Sequence, residues 1–179
     1  MSKASETFEC SIQDAELLLS IYKAQPKTSP DAGEVLKRAG LVMAMTAWET
    51  YVEDRIREEV QTLLKFLNGS HVGQFMLDEL EEELKRFHNP TSDKTRKLFL
   101  DYLKVDVTAK WVWSSYDAKA AKSTLDDLMS KRGDAVHRSR SIKNGDPSAP
   151  HPVKKENLEK AIRFLKSLVA ATDKALSSL

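Results

Sequence analysis

The chain has 179 residues, 41% hydrophobic and 31% charged, with six glycines and six prolines. That balance argues against a disordered or β-rich protein and fits a single helical domain over 1–179 with a substantial core. A net charge of +1 hides local asymmetry: 78–83 carries five acids, whereas Lys131, Arg132, Arg138, Arg140 and Lys143 against Asp134 give 131–143 a net +4.

Lone Cys10 excludes an intrachain disulfide, and the opening MSKASETFECS has no apolar core of signal length. No apolar run approaches the ~18 residues that a membrane span needs. The cytoplasm is the expected compartment, with no membrane association.

The first helix is predicted from about Ser5 to Ala24, where Phe8, Ile12, Ala15, Leu18, Leu19 and Tyr22 recur at three- and four-residue spacings before Pro26 and Pro30. A long second helix follows from about Asp31 to Leu67, striped by Leu41, Met45, Trp48, Val52, Ile56, Val60, Leu63 and Leu67 and ended by Asn68-Gly69. Glu53 and Arg57, four apart, read as its solvated face. A shorter acidic helix over 72–87 carries Phe75, Leu80 and Leu84, and His88-Asn89-Pro90 closes it.

Thr91-Ser92-Asp93 offers caps to a helix with Leu98, Phe99 and Leu103. The stretch KVDVTAKWVW (104–113) is a short extended segment or a buried irregular connection, with its tryptophans as core anchors. A fifth helix runs from about Ser115 to Arg138. The polar loop SIKNGDPSAPHP separates it from a last helix over 153–176, striped by Leu158, Ile162, Leu165, Val169 and Ala170. The expected fold is an all-α bundle of five to six helices around one long central helix.

His71, His88, His137 and His151 are scattered, with no HxxxH or CxxC spacing, so no metal site and no cofactor is predicted. No Walker-type or GxGxxG phosphate loop is present either. Projection of the fifth helix at about 100° per residue from Leu125 puts Ala121, Leu128, Met129 and Val136 within about 60° of zero, which defines a buried seam. Arg132 falls at about −20°, inside that seam. A guanidinium there needs an anion, a carboxylate or a wet cleft, and Glu49 on the long helix is one candidate partner. Gly133 beside it costs a helix interior ~1 kcal/mol and calls for close helix packing or a site. Asp134 is spaced to meet either His137 or Arg138.

Arg132, four intervening residues and His137, "RGDAVH", resemble the Arg-x4–6-His motif of HEPN-domain proteins. The likeness extends to the RiboL-PSP and MAE-type groups in FHNPTSDKTRKLFLDYLKVDVTAKWVW, LDDLMSKRGDAVHRS and HPVKKENLEKAI, and covers about residues 31–175. The family often has a polar residue directly after the arginine, a place held here by Gly133 with Asp134 one later. The resemblance implies a metal-independent endoribonuclease, a toxin or antiviral effector, acting as a homodimer whose motif helices meet. Its catalytic residues would be Arg132 and His137, with Asp134 assisting. A non-catalytic module binding nucleotide, RNA or a partner protein is the alternative, and an antitoxin is one such partner.

Histidine suits proton transfer from a ribose 2′-hydroxyl, and arginine suits a phosphate. The two diverge by about 140° and ~7.5 Å along a regular helix, so a second chain is expected to complete the site. Arg138, Arg140 and Lys143 would then bind the RNA backbone.

Overall fold

The computed structural model describes residues 2–25, 30–137 and 153–177. Among them it contains six α-helices, α1 (Lys3–Ala24), α2 (Pro30–Leu63), α3 (His71–Leu84), α4 (Ser92–Leu103), α5 (Ala118–His137) and α6 (Lys155–Leu176). Short 3₁₀ turns occupy Leu64–Leu67 and Val107–Lys110. The architecture is all-α, as the sequence predicts. KVDVTAKWVW is an irregular connection rather than a strand: it contains the second 3₁₀ turn, buries Val107, Thr108 and Trp111, exposes Val112, and ends at Trp113, which bridges to Tyr116.

Local chemistry sets the ends. The Ser2 hydroxyl caps α1 by accepting from the Ser5 amide (3.1 Å), and Pro30 opens α2, where its missing N–H costs nothing. Ser70 and Thr91 cap α3 and α4 in the same way.

α2 runs through the centre, with Leu41, Met45, Trp48, Val52, Ile56 and Val60 buried. α1 and α6 flank it. At Gly40 a Cβ would sit 2.7 Å from Leu158, so the absence of a side chain lets α6 cross α2 closely. Trp111 is fully buried, packs edge-on against Trp48 and donates from Nε1 to Thr172 Oγ1 (2.9 Å), tying the α4–α5 connection to α2 and α6. Asp173 on α6 accepts from Tyr51 Oη (3.0 Å) and Arg55 Nε (2.9 Å). Burial and the Asp173 charge hold the Tyr51 hydroxyl well above its ordinary pKa, so it stays a donor.

The predicted stripes fail at their ends. Leu63 and Leu67 are exposed and Leu64 is buried, because the helix tightens to 3₁₀ there and rotates the register. Phe75, expected in the core, is exposed on α3 together with Val72 and Met76. Ala170 is likewise exposed.

Candidate functional site

The site builds from the last turns of α5. Lys131 turns back to pair with Asp127 (2.6 Å), and Arg132 reaches across to α2 and to the loop between α3 and α4. Its Nη2 lies 3.2 Å from Glu49 Oε2, and Nη1 donates to Asn89 Oδ1. Arg132 therefore has the carboxylate partner expected of it. The pair is not sealed in the core, since the two side chains are 20% and 14% exposed. The Arg132 Nε–H is buried and meets no acceptor among the described residues.

The loop at 88–92 is held from both sides. Asn89 N–H donates to Glu49 Oε1 (3.1 Å), and Trp48 Nε1 donates to the Pro90 carbonyl (3.2 Å). From α5, Asp126 accepts from Ser92 N (2.8 Å) and Ser92 Oγ (2.7 Å). Asn89 has φ 55°, left-handed for a non-glycine residue. Proline at the next position normally pushes its predecessor to extended backbone, so this conformation stores of order 1–3 kcal/mol that the clamps must hold. Functional sites concentrate strain of this kind.

His88, just before it, presents a side chain 72% exposed, with Nδ1 3.9 Å from Glu49 Oε1. The sequence marks His88 and Asn89 only as a helix end, and Asp126 not at all, so none of the three is a predicted site residue. Their only signal there is an asparagine before proline next to a capping run.

Among the described residues, a Cβ at half-buried Gly133 would meet nothing within 4 Å, so close packing against them does not explain the glycine. Val136, placed in the buried seam by the projection, is 49% exposed while Ala135 beside it is buried, so the buried face of the last turn lies off the projected seam. Asp134 is half-buried. His137 is the last residue of α5, and the disposition of its side chain lies outside what the structure describes. Arg138, Arg140 and Lys143 fall wholly outside the described residues, so the expected basic entrance is not among the structural observations.

Glu53, one turn along α2 from Glu49, and Arg57 are half-buried rather than on the solvated face expected of them, and Arg57 binds Glu81 (2.7 Å) and Asp54 (2.8 Å). Burial, and then the neighbouring Glu49 charge, push the Glu53 carboxyl up from 4.5 to about 7. Between those values the folded chain binds more protons than the unfolded one, so this group's contribution to stability is lost as pH rises through about 7. Glu53→Gln is expected to match the wild type in thermal melting at pH ~4.5 and to melt higher than it at pH ~8.

A groove of about 380 Å³ lined by Glu79, Glu83, Arg86, Lys94, Lys97 and Tyr102 is mixed in charge, with three cations against two acids, and offers a polyanion little net attraction. Among the described residues no cluster of three or more His, Cys, Asp or Glu forms a metal-binding group, and no helix is long and apolar enough to cross a membrane.

No curated protein and no solved structure matches the chain. The model of one family, described as RiboL-PSP-HEPN, matches residues 9–178, a span that contains Arg132, His137, Glu49 and the 88–92 loop. The chain belongs to this HEPN family.

Proposed function

We propose that the chain is a metal-independent endoribonuclease of HEPN type, a toxin or antiviral defence effector that works in the cytoplasm as a homodimer. In this reading Arg132 binds the scissile phosphate and His137 takes the proton of the ribose 2′-hydroxyl. Asp134 supports the site, and Arg138, Arg140 and Lys143 contact the RNA backbone. A second copy completes the cleft, because Arg132 and His137 diverge by about 140° on one helix.

The setting of Arg132 carries the reading. One of its nitrogens faces a carboxylate and another a neutral amide, while the Nε side of the fork is unused. Val136, one turn on, is 49% exposed beside it. A phosphate that displaces Glu49 from Nη2 and reaches the buried Nε beside it would take bidentate donation from this fork in the carboxylate's place.

Wild-type protein incubated with total RNA in EDTA is expected to give fragments with 2′,3′-cyclic phosphate ends and to leave DNA intact. Absence of any fragment overturns the reading. The Glu49 pair favours a second one, a non-catalytic module that binds nucleotide, RNA or a partner protein and in which Arg132 is mainly structural. It predicts binding without turnover. It also predicts a loss of ~1–3 kcal/mol of folding stability in Arg132→Ala, between the values for exposed and buried ion pairs, measured by urea unfolding.

A further inference from the structure

We propose that His88 is the general acid of the Arg132 site, supplying the proton that the leaving 5′-oxygen takes up as the RNA chain breaks. The proposal rests on the ribonuclease reading above and deepens it. Arg132 and His88 flank a single carboxylate, that of Glu49, at 3.2 Å and 3.9 Å from its two oxygens. With Nδ1 toward Glu49, the opposite ring nitrogen, Nε2, is turned away from it, on a side chain open to a polymeric substrate.

The loop that carries His88 is anchored. Asn89 is bonded to Arg132 and to Glu49, Pro90 to Trp48, and Ser92 to Asp126. Lys94 Nζ also donates to the His88 carbonyl. The backbone that carries His88 is thereby fixed relative to the guanidinium by contacts from α2, α4 and α5, while the imidazole itself is exposed.

In-line displacement at phosphorus puts the attacking and leaving oxygens on opposite sides, so one imidazole cannot serve both. The step then balances as follows. The 2′-hydroxyl gives its proton to His137 and the 2′-oxygen bonds to phosphorus. The bond from phosphorus to the 5′-oxygen breaks with its electron pair on that oxygen, which takes the proton from His88 Nε2. The products are a 2′,3′-cyclic phosphate and a 5′-hydroxyl. His137 has gained one proton and His88 has lost one.

The test uses an RNA containing a bond that the wild type cuts, made once with the natural 5′-oxygen and once with bridging sulfur in its place, since a thiolate leaves without a proton. His88→Ala is expected to cleave the oxygen substrate ~10²–10⁴-fold more slowly and the sulfur substrate at about the wild-type rate. His137→Ala stays slow on both. His88 is exposed, so His88→Ala is expected to keep the fold, which circular dichroism checks.

Wild-type rates for His88→Ala on the oxygen substrate overturn the proposal and leave the ribonuclease reading standing. Slow cleavage of both substrates by His88→Ala also overturns it, because a binding or structural role would not respond to the leaving group. If the wild type cuts no RNA, the ribonuclease reading fails and this proposal fails with it.

Discussion

His137→Ala and Arg132→Ala, each purified alone, are expected to cleave RNA ~10²–10⁴-fold more slowly than the wild type, yet an equimolar mixture of the two should recover about a quarter of wild-type activity. The reason is geometric. On one helix the two side chains point about 140° apart, so the proposed site takes Arg132 from one protomer and His137 from the other. Random exchange makes half the dimers mixed, and each mixed dimer keeps one intact pairing out of two. If every site were built within one chain, mixing would recover nothing. Steady-state cleavage before and after subunit exchange, with sedimentation to establish the dimer, separates these outcomes.

The second large effect concerns the core. Trp111→Ala is expected to lose ~3–5 kcal/mol of stability, read as a lowered urea midpoint. The side chain is fully buried against Trp48, and its N–H is spent on Thr172, so truncation leaves both a cavity and an altered polar contact. Trp111→Phe keeps most of the packing and loses the hydrogen bond, so it should cost about 1–2 kcal/mol. Trp113 is only half-buried, at the edge of the same cluster, and its replacement should cost less than that of Trp111. Loss of Trp111 should also loosen the connection that sets α5, and RNA cleavage would fall with stability rather than ahead of it.

Much of this was readable in the sequence because it is periodic. The helices follow from three- and four-residue spacing, and a cation in an apolar seam demands a partner whatever the fold. Glu49 was therefore within reach as that partner. The failures have physical causes too. Leu63 and Phe75 have the right spacing for a core, but a sequence pattern does not say where the bundle stops or where a helix tightens.

His88, Asn89 and Asp126 were missed because their meaning is wholly tertiary. Asn89 meets Glu49 and Arg132 across 40 and 43 residues of chain, and nothing in HNP announces either contact. The motif supplied Arg132 and His137, whereas the surroundings that would tune them come from elements packed against α5.

Gly133 bears on how far the fold alone accounts for this sequence. An alanine there would touch no other described residue, and it would hold the last turns of α5 more firmly by about 1 kcal/mol. The chain thus forgoes stability at a place where the described part of its packing asks for no such concession. Under the proposed function, a phosphate or a second copy at close range is what makes glycine the better residue there.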